Sequence, residues 1–205
     1  MEFDVDSWRE ELRSYRDRKD EQFAGGRGSP LPPDERAAFD GLDYFEPDPD
    51  YRVAATVEVL DGEETVTMET STEGERLYDR AARLRFEVPD AGGEPVAETL
   101  VAYRRVDVDG DSLFVPFRDK TTGQGTYPGG RYMELHVESA SRSDANSSSG
   151  ERSDPREGEL EDREVPLDFN LAYSPFCAYS EAYKCPLPPR ENWLEVAIPA
   201  GERYK

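Results

Sequence analysis

Alternation of apolar and polar residues from residue 51 onward constrains the fold of this chain more than any other feature. Between residues 51 and 59 the apolar side chains fall on odd positions, as on a half-buried β-strand. The same period of two recurs at about 65–70, 82–88, 96–106, 112–117, 133–137, 165–169 and 194–198. Eight strands without interleaved helices predict a mainly β fold, an antiparallel β-sandwich or a small barrel. Both architectures give the same alternation, so the choice between them stays open.

Residues 1–45 predict a helical arm that precedes this β domain, which we place at 46–205. Ser7 and Glu10 have the spacing of a capping box. A narrow apolar stripe then follows at helical spacing and is interrupted by Lys19: Trp8, Leu12, Tyr15 and Phe23. Such a stripe is typical of a helix that lies on a separate body. A second short helix is expected at 32–40, because two prolines open it and a glycine follows it.

Residues 139–163 differ from both regions. Polar and charged residues dominate this stretch, and no periodicity runs through it. A segment of this composition buries too little apolar surface to offset its ordering entropy. We therefore predict a flexible acidic insertion between two strands. Elsewhere in the β domain, hairpin turns are expected at 61–62 and 109–110.

The charge of the chain is strongly acidic, with 46 Asp and Glu against 25 Lys and Arg, a formal net charge of −21. This composition predicts a halophilic protein, since molar salt screens charge repulsion beyond about 3 Å. The acidic field argues against binding to nucleic acid or to an anionic membrane. No apolar run approaches a membrane span, and the acidic first residues do not resemble a signal peptide. A cytoplasmic location is the expectation.

Two segments carry most of the chemically versatile residues. The first motif segment, 116–132, and the second motif segment, 166–193, both mix Gly and Pro with Asp, Asn, Arg, Tyr and Cys. Gly and Pro fix unusual backbone angles, whereas the other residues bind or react. We expect the two segments to meet at one end of the β domain.

These residues resemble a known family. The resemblance rests on Phe117, Asp119, Thr121, Gly123, 126–127, 129–132, 168–170, 172–173, Pro175, Cys177, 185–189 and 191–192, together with Trp8, 29–31, Phe39, 41–42 and 200–202. The pattern is similar to the family called domain of unknown function 1684, and it spans the chain except for 139–163. Ser174 stands where the family has Asn. The family has no established activity, so the resemblance implies a shared identity along the chain and no mechanism.

The motif segments suggest a small-molecule site, and we expect its ligand to be anionic. Backbone N–H groups of the glycine-rich stretch 122–126 can converge on a negative group, although a tight loop that needs positive φ is the favoured explanation of the glycines. The predicted ligand-binding residues are Lys120, Thr126, Tyr127, Arg131, Tyr132, Asp168, Asn170 and Tyr173. In this hypothesis, Arg131→Ala abolishes binding and leaves stability nearly intact.

Two other interpretations stay open. The same cleft would serve a hydrolase-like enzyme in which Asp119 or Asp168 is the general base, with or without a divalent metal; turn capping is the structural alternative for both carboxylates. His136 is the only histidine, which makes a hydrolytic triad improbable. In the third interpretation the chain is a structural or interaction protein. Composition and motifs identify no cofactor and no oligomeric state.

The two cysteines, Cys177 and Cys185, are separated by seven residues. A disulfide would fit this spacing but conflicts with a reducing cytoplasm. A zinc site needs further ligands, and a nucleophile needs a basic partner. We therefore predict a structural pair, reduced or bridged, ahead of a metal site or a catalytic thiol, and we assign no metal ligands.

Overall fold

The computed structural model of the protein describes residues 3–60, 64–107, 112–136 and 163–204. One helix and seven strands make up its regular structure: α1 Val5–Gly25, β1 Arg52–Val59, β2 Thr65–Glu69, β3 Glu75–Pro89, β4 Pro95–Arg105, β5 Ser112–Phe117, β6 Arg131–His136 and β7 Glu164–Asp168. All strand pairs are antiparallel, in the order β6-β5-β4-β3-β1-β7, and β2 pairs with β3. The predicted mainly β, antiparallel fold is confirmed. The strands form one curled sheet, a half-barrel.

The hydrophobic core lies on one face of this sheet. Alternate residues of β1 and β3–β7 point into it, and fully buried members include Val57, Leu84, Leu100, Val115 and Phe169. The opposite face of β2–β5 carries a smaller buried cluster of Met68, Tyr78, Val101 and Tyr103. The residues of β4 are buried on both faces because the two clusters lie on either side of it.

The segment predicted as the last strand is buried in alternation but is not part of the sheet. Leu194, Val196 and Ile198 pack into the core. The backbone of this segment bonds to a loop instead, with the Leu194 N–H donating to the Arg118 carbonyl at 2.8 Å and the Lys120 N–H donating to Val196 at 2.9 Å. The expectation of an eighth strand was wrong, because a period of two reports extended backbone and burial and does not identify the hydrogen-bonding partner.

Two helix predictions also need correction. The N-cap of α1 is Asp4 and not Ser7, since the Asp4 carboxylate accepts the N–H groups of Asp6 and Ser7 at 3.0 and 3.2 Å. The helix predicted at 32–40 is a single 3-10 turn, Arg36–Ala38. No side chain caps that turn, so nothing compensates for the cost of nucleating a longer helix.

Several predictions fall outside the described residues. These are the turns at 61–62 and 109–110 and the insertion at 139–163, apart from Arg163, whose carbonyl accepts the Val57 N–H at 2.9 Å. The division between an arm at 1–45 and a β domain at 46–205 stays a prediction. In the described part of the chain, no helix combines the length and the apolar character that crossing a membrane requires.

Candidate functional site

The structure brings the two motif segments together. Tyr132 and Tyr173 form an antiparallel bridge through two backbone hydrogen bonds of 2.8 and 3.0 Å. Arg118 pairs with Trp193 in a parallel bridge. The Tyr127 hydroxyl lies 3.4 Å from the Cys177 carbonyl oxygen. The expected meeting of the two segments is therefore observed, and the next question is which of their side chains stay open to a ligand.

Arg131 is sealed inside the protein. Its guanidinium donates to the carbonyls of Ile198, at 2.8 Å, and Ala200, and it lies 3.4 Å from Asp119. The residue is 1% exposed, and burial lowers the pKa of Arg131 while Asp119 opposes that shift. We call this cluster of Asp119, Arg131 and residues 198–200 the sealed junction. Its cation is engaged by the protein's own groups and is closed to a ligand from solvent.

Asp119 is equally engaged. Its carboxylate accepts the Ile198 N–H at 2.7 Å and the Thr121 hydroxyl at 2.8 Å, in addition to the ion pair. The Thr121 and Thr126 hydroxyls lie 3.0 Å apart, and Thr126 is 1% exposed. A carboxylate with this many partners is held as an acceptor within the loop, so its geometry is that of the turn-capping alternative.

The glycine-rich stretch closes on itself. The N–H groups of Gly123, Gln124 and Gly125 donate to carbonyls of Thr121 or Thr126 within 3.0 Å. Gly123 has a φ of 77°, which favours glycine. Because these N–H groups are paired within the loop, the tight-turn interpretation explains them without an anion.

Lys120, Asp168 and Asn170 also have partners within the protein. Lys120 forms an exposed ion pair with Glu195. Asp168 accepts the Trp8 indole N–H at 2.7 Å and the Asn170 backbone N–H at 3.0 Å. The Asn170 amide bonds both backbone groups of Asp48, at 2.9 and 2.8 Å. Asp168 and Asn170 thus attach α1 and the segment before β1 to the sheet.

A second buried ion pair, between Lys19 and Glu202, was not anticipated from the sequence. Glu202 is 1% exposed and also accepts the Ser174 N–H at 2.7 Å and the Tyr179 hydroxyl at 3.0 Å. The sequence does carry a signal, because Lys19 is one of four lysines and interrupts the apolar stripe of α1. If a lysine at such a position is buried, its charge requires a partner.

The open site lies elsewhere, on the sheet face opposite the core. A cavity of about 410 Å³ lies between strands β3–β6 and the loop at 173–186. Each of the four strands contributes lining residues: 76 and 78 on β3, 103–105 on β4, 112 and 114 on β5, and 132 and 134 on β6. We call this cavity the aromatic groove.

The floor of the aromatic groove is a chain of contacting rings. Phe114 stacks on Tyr78 with centroids 5.4 Å apart and meets Tyr132 edge to face at 4.7 Å. Tyr132 in turn meets Tyr173 at 5.8 Å. Burial raises the pKa of both Tyr132 and Tyr173, so these hydroxyls stay protonated at neutral pH. This floor offers flat apolar surface, and the hydroxyls of Tyr132 and Tyr173 at its edge donate to the Pro186 carbonyl and the Glu134 carboxylate.

The charge around the aromatic groove is opposite to that of the chain. Among the described residues, its lining includes four cations and one carboxylate, namely Arg76, Arg104, Arg105, Lys184 and Glu134. Arg76 alternates with Tyr78 on the groove face and makes no ion pair with any described residue, whereas Arg105 pairs with Asp107 at 2.8 Å. Arg104 lies between Tyr103 and Arg105 on β4, so its side chain is on the other face of the strand. The Glu134 carboxylate accepts the hydroxyls of Tyr173 and Ser112. A chain of net charge −21 therefore concentrates positive charge at this site.

Two further clefts continue from the aromatic groove along α1. They have volumes of about 520 and 440 Å³ and share Glu134 and Tyr173 with the groove. The first of them reaches Lys19, and the second reaches Asp168. Tyr173 therefore stands at the junction of all three clefts.

Two predicted ligand-binding residues, Tyr132 and Tyr173, line the aromatic groove. The other six do not: Lys120, Thr126, Tyr127, Arg131, Asp168 and Asn170. The sequence interpretation missed Tyr78, Tyr103 and Phe114. A signal existed in the alternating basic residues of β3, but nothing in the sequence says that β3 and β6 lie on one groove.

A metal centre finds no support in the described part of the chain, where no cluster of three or more His, Cys, Asp or Glu is arranged to hold an ion. His136 ends β6 and pairs with Ser112 through the sheet. The candidate site therefore consists of rings, cations and hydroxyls.

Comparison with known proteins places the chain in a family. Residues 37–203 match the family described as a protein of unknown function, DUF1684, and the chain belongs to that family. Its fold is similar to the solution NMR structure of an uncharacterised protein of Haloarcula marismortui, at 48% sequence identity and a TM-score of 0.66. That match covers 99% of this chain and 97% of the other. No curated protein matches the sequence.

Proposed function

We propose that this protein binds a small anionic ligand with a planar ring in the aromatic groove. The observation that carries the proposal is the placement of Arg76, Arg105 and Lys184 around a floor of contacting aromatic rings, in a chain of net charge −21. Scattered surface charges would follow the acidic average of the chain. A local excess of cations beside apolar rings fits a ligand with one apolar and one anionic part.

The rings and the cations have separate tasks in this proposal. Tyr78, Phe114 and Tyr132 present ring faces and edges, on which a planar ligand gains stacking and buried apolar area. Arg76 and Arg105 share the strand face of Tyr78 at the edge of that floor and attract the anionic group. Arg76 is the principal anchor, because Arg105 is already paired with Asp107.

A ligand-binding role is better supported than the enzyme alternative. Asp119 is buried in the sealed junction, and Asp168 accepts hydrogen bonds from Trp8 and Asn170. Neither candidate base lines the aromatic groove. We further propose a salt-rich cytoplasm as the habitat, which is supported by the acidic composition and by the relative from Haloarcula marismortui.

The proposal is tested with two probes that share one ring system. We expect 2-naphthoate to bind at least tenfold more tightly than the uncharged 2-naphthylmethanol, which corresponds to about 1.4 kcal/mol. Isothermal titration calorimetry over a series of salt concentrations measures both affinities. The advantage of the anion should shrink as salt rises, because part of the groove is exposed.

Variants locate the binding. Arg76→Gln should remove most of the advantage of 2-naphthoate and leave the affinity for the alcohol unchanged. Arg85→Gln is the matched control, since Arg85 also lies on the sheet and pairs with Glu58 outside the groove. Equal affinities for the two probes, or equal losses in the two variants, would refute the proposal.

A further inference from the structure

The two cysteines form a contacting pair beside the aromatic groove. Both are unbridged and half-buried. The Cys177 backbone N–H donates to the Cys185 sulfur at 3.3 Å, and each thiol is the largest influence on the pKa of the other. The turn that separates them in sequence therefore brings their sulfur atoms together.

Several donors surround the Cys177 sulfur. The Tyr127 hydroxyl lies 3.7 Å from it, and the Ser71 hydroxyl and the Cys185 thiol are its other polar neighbours. Hydrogen bonds to a thiolate favour the charged form. They lower the pKa of Cys177 to about 6, with the Cys185 bond as the largest cause, whereas the same bond raises the pKa of Cys185.

The remaining charged and titratable groups near the pair do not reverse this asymmetry. Tyr127 and Tyr132 face it, and burial raises the pKa of each, so both remain neutral. Arg76 is the cation that acts on Cys185. Each sulfur accepts one hydrogen bond, but that of Cys177 faces the Tyr127 hydroxyl and has the lower pKa, so it is the better nucleophile.

We propose that Cys177 is a reactive thiolate and that Cys185 is its resolving partner in exchange with low-molecular-weight disulfides. The Cys177 sulfur attacks one sulfur of such a disulfide, which breaks the disulfide bond and releases one thiolate. Cys185, after losing its proton to solvent or to the departing thiolate, attacks the Cys177 sulfur of the mixed disulfide. This step releases the second small thiol and leaves a Cys177–Cys185 bond. The protein loses two electrons and two protons, and the small disulfide gains them.

The position of the pair gives the reaction a structural consequence. Cys185 lines the aromatic groove, and the carbonyl of the next residue, Pro186, accepts the Tyr132 hydroxyl of its floor. The Cys185 carbonyl accepts the Ser71 N–H at 2.8 Å, next to β2. A bond between the sulfurs thus forms in the groove wall. The chemistry of the pair itself does not depend on the proposed ligand.

The first test uses the wild-type protein. It is treated at pH 7 with less than one equivalent of iodoacetamide, and the labelled peptides are quantified by mass spectrometry. We expect at least tenfold more label on Cys177 than on Cys185 in the folded protein, and equal labelling of both after denaturation. Equal labelling of the folded protein, or preferential labelling of Cys185, would overturn the proposal.

The second test follows exchange with oxidised glutathione. Cys185→Ser should accumulate a glutathione adduct at residue 177, whereas Cys177→Ser should react at least tenfold more slowly. The wild-type protein should end without an adduct and with its mass reduced by two hydrogen atoms. A stable adduct on the wild type, or equal rates in the two variants, would contradict the assigned roles. Should either variant fail to fold, the labelling ratio of the wild type decides the matter.

Discussion

The sealed junction and the aromatic groove use the same residue types for opposite purposes. In the junction, Arg131 lies 5.1 Å from the ring centroid of Phe117, and its guanidinium is engaged by Asp119 and two carbonyls. In the groove, Arg76 shares a strand face with Tyr78 and has no ion-pair partner among the described residues. An arginine near aromatic rings is therefore not by itself a sign of a binding site. What separates the two regions is whether the protein's own groups already satisfy the cation.

The junction also explains why the first motif segment is so rich in functional groups. Its loop carries no regular strand and packs against the irregular segment 194–202. Backbone groups that lack a sheet partner must be satisfied by side chains. Asp119 and Arg131 do this for Ile198 and Ala200. Dense polar chemistry in a sequence can thus serve backbone satisfaction.

The largest predicted effect is the loss of the junction cation. Arg131→Met should lower the free energy of unfolding by about 3–5 kcal/mol, because it leaves the buried Asp119 carboxylate without its counter-charge. Urea unfolding at constant salt measures this change. The result expected from the sequence alone, a loss of binding with stability nearly intact, would contradict the structural role.

Lys120→Met provides the control for the junction. Lys120 carries a charge one residue from Asp119, but its pair with Glu195 has side chains that are 56% and 81% exposed. Exposed ion pairs contribute about 0–1 kcal/mol. If Lys120→Met lowers the free energy of unfolding as much as Arg131→Met does, then any substitution in this loop is destabilising and the effect is not specific to the buried ion pair.

A somewhat smaller loss is expected at the other buried pair. Lys19→Met should cost about 2–4 kcal/mol, because Glu202, which is 1% exposed, keeps its charge without a cation. Adding Glu202→Gln should restore part of the loss, since contacting residues couple in double-mutant cycles. Thermal and urea unfolding of the single and double variants measure the coupling. Purely additive losses would show that the two side chains do not act as a pair.

The close packing of the Phe117 backbone against Gly130, the residue before Arg131, gives a third test. Gly130 has a φ of 91°, and a Cβ there would lie 2.7 Å from the Phe117 carbonyl oxygen. Gly130→Ala should therefore destabilise by about 2–3 kcal/mol. Gly93→Ala is the matched control, with a φ of 82° and no atom within 4 Å, and should cost about 1 kcal/mol. Equal losses in the two variants would mean that the positive φ alone causes the destabilisation and that the close contact at Gly130 adds nothing.

The smallest stability effect is expected in the groove. Arg76→Gln should change the free energy of unfolding by less than about 0.5 kcal/mol, since the hydrogen bond of Arg76 to the Lys184 carbonyl is exposed. The same urea titration measures it. A loss above about 2 kcal/mol would mean that Arg76 holds the fold together, which would make it a second structural arginine.

Much of the fold follows from local patterns. The period of two at 82–88 and 112–117 identifies residues of β3 and β5, because alternation is set by two faces of one sheet. The helix stripe identifies Trp8, Leu12 and Phe23 as buried. The segment 194–198 shows the limit of such patterns. Its alternation correctly predicts which residues are buried, but it does not reveal that the backbone bonds to a loop instead of a strand.

The candidate site was less predictable because it depends on distant pairings. Tyr132 and Tyr173 were identified from their motif segments, and both line the groove. Arg131 looked available because its partners, Ile198 and Ala200, lie in a different part of the sequence. Tyr78 and Phe114 meet only because the sheet order places β3 two strands away from β5. Strand order is a property of the whole sheet and cannot be deduced from any one strand.

The most direct test of the account is to map where an aromatic anion binds. 2-Naphthoate is titrated into ¹⁵N-labelled protein, and the amide chemical shifts are followed residue by residue. We predict that the largest changes fall on Arg76, Tyr78, Phe114 and Tyr173, with the loop at 119–127 unmoved. Changes confined to Lys120, Thr126 and Tyr127 would place the ligand at the motif loop and contradict the distinction between the sealed junction and the open groove.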